Sequence, residues 1–462
     1  MTGERRKLIK HISANTLQVL GNQCLGVFIF LLISRYLDKS SFGELSWSLA
    51  VLTFTTTLLS LRLEQIVVRN VAAGDDPSSM LTLFAAHNFF TGLIFWVVLS
   101  IVGGGSLLWV LSISQLLTFW ALPFRQILAG RSAFGWLALL ASVSNLVRAV
   151  GLYLCVVYST LTLRSVVILF SVSAAAELIL GAWIVCGRLR INFGMFKPMS
   201  AYAQLIRTSL PQVGVVFLNA GIARIDWILL GILSTTAHTA EYTFAYRAYE
   251  FAPLPLLVLA PLLLNRMAKG PSPDGAFMHA LVQVEMVLAT LPTLWAVLMW
   301  APVMDAFTAN KYGQVNIPTF LILACCIPFQ YLINLYWSHD FARNKLSRIF
   351  FITAVTGVIV VTGDVLLIPA YAGAGAAVAY LVAMIVQYLL YARVSDLAGR
   401  KEWGRMLVLS MSIAICSGLA AINLTDSLIL QLVWASILFC LMGWVTGLLK
   451  AKEMMSVRYK LY

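Results

Sequence analysis

Residues 349–392 read IFFITAVTGVIVVTGDVLLIPAYAGAGAAVAYLVAMIVQYLLYA, with one formal charge, Asp364, between Arg348 and Arg393. A helix needs about 20 mostly apolar residues to cross the hydrocarbon core of a bilayer. This stretch has room for two such helices. Pro369, which has no backbone N–H, marks where the first ends and the second begins. In lipid every backbone polar group must be bonded within its own segment, so runs of this kind are helices. A transmembrane β-barrel would instead alternate polar and apolar residues over about 10 positions, and that alternation is absent.

Outward from this stretch the pattern repeats to both ends. The chain is 60% hydrophobic and 11% charged, against about 25% charged in a soluble domain. Predicted spans are 12–34, 42–66, 81–102, 107–125, 134–158, 163–187, 209–233, 240–265, 276–303, 317–340, 347–368, 373–393, 405–423 and 427–448. They predict an all-α integral membrane protein of about 14 transmembrane helices. Connections are short and carry breakers such as Gly103-Gly104-Gly105 and Pro271-Ser272-Pro273. The longest connection, 188–208, is basic and is expected to include an interfacial helix. Arg5, Arg6, Lys7 and Lys10 precede a full first span, so no cleavable signal peptide is expected.

The net charge of +13 would suggest nucleic acid in a soluble protein. Here its position matters more. Arg62, Arg148, Arg224 and Arg247 lie within spans. Only Arg35, Lys39, Arg164 and Lys311 fall in one set of alternate loops, and the rest of the 32 Lys and Arg fall in the other set, which begins with the N-terminus. Positive charge stays cytoplasmic. Both termini are therefore expected in the cytoplasm, with an even number of spans and no nucleic-acid partner. The external loops leave no room for the segment that a polysaccharide polymerase or ligase needs, so the chain reads as a transporter and not an enzyme. The seven cysteines lie in apolar runs without ligand spacing and the five histidines are scattered, so no metal or cofactor is expected.

A charge at mid-bilayer costs at least about 2.5–3.5 kcal/mol, so charged residues there face a cavity or a partner. Arg224 stands about 21 Å into its predicted span at 1.5 Å per residue. Arg247 and Arg148 fall at comparable depth, and the three would make a cationic patch in a shared cavity. Two blander readings stand beside this. Arg247 and Glu250, at i and i+3, could neutralise each other on one helix face, and Arg62 and Glu64 could snorkel to the interface. Arg224 and Asp226, about 200° apart around a continuous helix, should not pair. Glu177, Glu285 and Asp364 serve as counter-charges or as a proton or sodium relay. Asn15, Gln18, Asn22 and Gln23 stripe the first span; Gln115 and Asn219 add polar groups. These contact substrate, or bond between helices at about 0.6 kcal/mol each.

Two runs carry a resemblance: Arg224-Ile-Asp226-Trp-Ile-Leu-Leu-Gly231 with Glu241-Tyr242-Thr-Phe-Ala245-Tyr-Arg247-Ala-Tyr-Glu250, and Leu367-Ile368-Pro369-Ala-Tyr-Ala-Gly373-Ala-Gly375. So do Asn15 and Gln23, Arg35-Tyr-Leu, and Ser41-Phe42-Gly43-Glu-Leu-Ser46 near the start. Over about residues 8–395 the chain resembles the polysaccharide (O-antigen, Wzx-type) flippases of the MATE-like MOP superfamily. The resemblance implies two six-helix lobes, 1–190 and 191–400, with two further helices and a tail in 401–462. It implies a flippase of the bacterial inner membrane that carries an undecaprenyl-diphosphate-linked oligosaccharide from the cytoplasmic to the periplasmic leaflet. Its partners would be that glycan, the lipid bilayer, a coupling ion (H+ or Na+) and a polysaccharide polymerase or chain-length protein. Arginine suits the diphosphate because its planar fork donates two hydrogen bonds and keeps its charge. The expected cavity residues are Arg224, Arg148 and Arg247, with Asn22, Gln23, Asn219, Asp226, Glu250 and Glu177 around them. A drug or metabolite antiporter, or a lipid II flippase, is the alternative. An antiporter for organic cations would want an acidic cavity.

Overall fold

The computed structural model describes residues 21–103, 106–194, 199–256, 275–397 and 400–449. Asn15, Gln18 and the Pro271-Ser272-Pro273 turn lie outside the described residues. All regular structure among the described residues is helical. In chain order the helices are α1 (21–36), α2 (Lys39–Leu59), α3 (Leu63–Ala72), α4 (Pro77–Gly103), α5 (Leu107–Gly130), α6 (Phe134–Val157), α7 (Leu163–Ala182), α8 (Met199–Ile222), α9 (Ile225–Leu233), α10 (Thr236–Tyr249), α11 (Gly275–Thr308), α12 (Ile317–Ala342), α13 (Leu346–Val394), α14 (Arg400–Leu424) and α15 (Leu428–Val445). Among the described residues nine helices are long and apolar enough to cross a membrane; α2 and α3, bent by 49° at their junction, make a tenth. Large apolar side chains such as Ile101, Val102, Leu366 and Trp444 are more than two-thirds exposed. A soluble surface would not tolerate so many, and a bilayer covers them.

Spans 347–368 and 373–393 are both present, as the two helices of α13, which folds back on itself at Ala372 (φ 47°, ψ −127°). Pro369 removes a backbone donor just before the bend. The two halves then pack closely: a Cβ on Gly375 would meet the Leu367 carbonyl oxygen at 2.4 Å, and one on Gly363 the Ala379 Cβ at 2.7 Å. Only small residues allow that approach.

Span 42–66 is broken between α2 and α3, where Leu61 and Arg62 are both left-handed (φ 47° and 61°). The hydroxyls of Thr55, Thr56, Thr57 and Ser60 bond carbonyls one turn back, which bends helices. At the break, the Leu59 carbonyl accepts from His87 Nε2 at 2.7 Å, and His87 Nδ1 lies 2.8 Å from the Tyr202 hydroxyl. A carbonyl can only accept, so Nε2 carries the proton and Nδ1 takes the Tyr202 hydrogen.

Span 209–233 is interrupted at Ala223–Arg224, between α8 and α9, and span 240–265 is interrupted at 250–253, with its residues 257–265 outside the described residues. The expected interfacial helix in 188–208 is instead the beginning of α8, continuous with the seventh span.

The chain divides into two compact units, Met1–Arg224 and Ile225–Tyr462. In the first, α5 packs on α2, α3, α4 and α7, and α8 packs on α2 and α3. Its core includes Leu63, Phe84, Ile127, Leu128, Leu140 and Ile184. In the second, α12 packs along α13, and α11 packs on α12, α14 and α15.

Candidate functional site

The first unit gathers its charges where α5, α6 and α7 meet. Pro123 interrupts the hydrogen-bond ladder of α5 without ending the helix. Two residues later Arg125 forms an ion pair with Glu177 of α7. The Glu177 side chain is 1% exposed, and Ser144 of α6 lies close to its carboxylate. Arg148, on the same helix as Ser144, completes the group. Its Nε donates to Ser173 Oγ at 2.7 Å, and its guanidinium carbon sits 4.7 Å from the centre of the Phe170 ring. No carboxylate comes within 4.0 Å of Arg148 among the described residues. One buried carboxylate thus stands among two guanidiniums, and one positive charge is left over. A half-buried arginine fixed by a hydroxyl and an aromatic face is prepared for an anion with two acceptor oxygens.

The second unit gathers acids and aromatic rings. Asp226, in the first turn of α9, is fully buried; its Oδ1 accepts from the Trp227 N–H at 2.9 Å and its Oδ2 accepts from the Tyr242 hydroxyl of α10. A carboxylate at a helix N-terminus is favoured by the helix dipole. α9 packs on α13, which brings Asp226 within electrostatic reach of Asp364, also fully buried. Neither oxygen of Asp364 has a hydrogen-bond partner among the described residues. Around them Tyr242, Tyr246, Tyr249 and Tyr380 pack with ring centres 5.5–5.9 Å apart. Two adjacent carboxylates and a phenol in such a place can share a proton or hold a small cation.

The other expected site residues are placed as follows. Arg247 pairs with Glu250 at 2.9 Å and lies 5.2 Å from the centre of the Trp227 ring. Arg224 stands in the break between α8 and α9, where its Nη1 donates to the Ala223 carbonyl at 3.0 Å. Asn22 and Gln23 are on α1, half-buried and exposed, and Asn219 is exposed on α8. The structure therefore brings Arg148 together with Glu177, and Asp226 together with Arg247 through Trp227. Gln115 is a structural bridge: its amide donates to Thr56 Oγ1 at 3.0 Å.

Two residues of these clusters escaped the sequence reading. The predicted span 107–125 puts Arg125 at its cytoplasmic end, whereas α5 runs to Gly130. The continuing Ile127-Leu128-Ala129-Gly130 was the signal. Tyr242 is the first of a Tyr242, Tyr246, Tyr249 stripe at i, i+4 and i+7, the pattern of a single helix face.

Residues 8–263 match the model of the family described as polysaccharide biosynthesis protein. No curated protein matches the chain by sequence. Among solved structures, the lipid II flippase MurJ in an inward closed conformation is similar at 13% identity and a TM-score of 0.76, over 94% of this chain and 98% of that one. An inward-facing multidrug resistance MATE transporter of the MOP superfamily is similar at 12% identity and a TM-score of 0.65, over 83% and 96%. A MOP superfamily transporter from Pyrococcus furiosus gives 12% identity and a TM-score of 0.52, over 87% and 96%. The chain belongs to the polysaccharide biosynthesis protein family, in a fold shared with the transporters of the MOP superfamily.

Proposed function

We propose that the protein flips an undecaprenyl-diphosphate-linked oligosaccharide from the cytoplasmic to the periplasmic leaflet of the bacterial inner membrane. The product would feed O-antigen, capsule or exopolysaccharide assembly, with a polymerase or chain-length protein as the next partner and both termini in the cytoplasm. Arg148 carries this reading: a positioned guanidinium with no carboxylate within 4.0 Å among the described residues, in a unit where Arg125 already answers Glu177. The proposed substrate carries an anionic diphosphate, and Arg binds such a group through two hydrogen bonds. Arg224 and Arg247 are proposed as further contacts during passage, with Asn22, Gln23 and Asn219 meeting the glycan. The long tail stays in lipid, so the protein has only the head group to escort.

The test is complementation of a deletion strain with Arg148→Ala, Arg148→Lys and Arg224→Ala, measuring surface glycan and membrane abundance together. Removing Arg148 strands no acid, because Glu177 keeps Arg125 and Ser173 keeps its bond to the Phe170 carbonyl. Abundance should hold while surface glycan is lost in both alanine variants. Arg148→Lys should retain part of the function, since the charge persists without the fork. Normal export by Arg148→Ala at normal abundance would remove this residue from substrate binding.

A further inference from the structure

Glu285 lies on α11 about 14 Å from the start of the predicted span, at 1.5 Å per residue. It is fully buried, and neither carboxyl oxygen has a hydrogen-bond partner among the described residues. Among the other buried acids, Glu177 has Arg125, Asp340 has Arg348, and Asp226 has Tyr242 and the Trp227 N–H; Asp364, also without a hydrogen-bond partner among the described residues, lies within electrostatic reach of Asp226. Glu285 has none of these arrangements.

The helices packed on α11 supply little. From α12 the titratable group facing Glu285 is Tyr331, whose hydroxyl donates to the Ala252 carbonyl at 3.2 Å. From α14 comes Glu402, 3.1 Å from His279, a pair about 9 Å nearer the N-terminal end of α11 by the helical rise. α15 contains no Asp, Glu, Lys, Arg or His. An ionised carboxylate without a cation is strongly destabilising in such surroundings. A hard metal cation binds through several oxygens at once. Among the described residues no group of three or more His, Cys, Asp or Glu could hold a metal ion. A proton needs one oxygen.

We propose that Glu285 is a proton-binding site of the transport cycle, neutral when buried and loaded from one side of the membrane for release on the other. This rests on the transport reading above. Loading turns the carboxylate and a proton drawn from water into a carboxylic acid; release returns the proton to water. The half-exposed His279 and the exposed Glu402 pair near the N-terminal end of α11. Pro292, two turns further along, gives α11 a place to bend and so to change what Glu285 meets.

The full-length protein in lipid nanodiscs would be followed by infrared spectroscopy between about pH 5 and pH 9, the range in which buried glutamates can titrate. One component of the protonated-carboxyl band present at neutral pH should be lost in Glu285→Gln and kept in Glu177→Gln, while any component from the Asp226–Asp364 pair stays in both. In proteoliposomes, flipping of a fluorescent undecaprenyl-diphosphate-linked oligosaccharide should respond to an imposed pH gradient. Glu285→Gln, folded at wild-type yield, should flip about tenfold more slowly or worse and ignore the gradient. A band unchanged in Glu285→Gln would overturn the proposal. So would wild-type flipping with a wild-type pH response in that variant. A wild-type protein that shows the Glu285-dependent band yet flips no glycan would refute the substrate reading and leave the proton site standing.

Discussion

Where α5, α6 and α7 meet, a buried carboxylate stands between Arg125 and Arg148; in the second unit, Asp364 and Glu285 are buried with no hydrogen-bond partner among the described residues. The first arrangement is over-compensated by one positive charge. The second is under-compensated and is surrounded by phenols, which donate hydrogen bonds but carry no charge. Coulomb energies in a low-dielectric interior are large, so neither imbalance is a neutral packing detail. A surplus guanidinium invites an anion, and an unanswered carboxylate invites a proton. On the proposed reading, one chain holds, in separate compact units, a group to grip a phosphate-bearing head group and a group to couple its movement to a gradient.

The comparison breaks first at Glu177. Glu177→Ala would leave Arg125 and Arg148 facing each other without their shared counter-charge. Removing one partner of a buried pair costs about 3–5 kcal/mol, so thermal unfolding in nanodiscs should shift sharply downward and membrane abundance should fall. Glu285→Leu, which removes an acid that bonds nothing described, should leave stability unchanged or raised. Equal losses in the two variants would show that the two units do not differ as argued.

A carboxylate outside both cores sets the small end of the scale. Asp38 caps α2, accepting from the Ser41 N–H at 2.9 Å, and this bond with that of the Ser41 side chain holds its carboxyl below the ordinary Asp value. A depressed pKa means that the stabilisation is complete above the unfolded value of about 3.9 and is lost as pH falls through the lower folded value. Asp38→Ala should cost about 1 kcal/mol at neutral pH, the usual worth of such a cap. The gap between variant and wild type should close only in strong acid. A gap that widened on acidification would reverse the assigned sign.

The helices were legible because period and length settle them: apolar runs of spanning length in lipid have one backbone solution. Their breaks were not. Leu61 and Arg62 adopt left-handed conformations that nothing in a Leu-Ser-Leu-Arg-Leu run announces, and the bond that meets the freed Leu59 carbonyl comes from His87, far along the chain. Pro369 did announce the α13 bend, because a missing N–H is local information. Among the charges, the Arg247–Glu250 pair was readable from its i, i+3 spacing alone. The Arg125–Glu177 and Asp226–Tyr242 pairs join different helices. Which helix faces meet depends on packing, and depth along a span says nothing of it.

The most direct measurement is flipping in vesicles reconstituted with the purified protein. The substrates would be a short oligosaccharide on undecaprenyl diphosphate and the same glycan on an uncharged lipid of equal chain length. The account predicts that the protein speeds transfer of the diphosphate-linked lipid between leaflets, that Arg148→Ala abolishes this, and that the uncharged analogue is carried poorly if at all. No acceleration for the diphosphate-linked lipid, or equal acceleration for both lipids with Arg148→Ala as active as wild type, would contradict it.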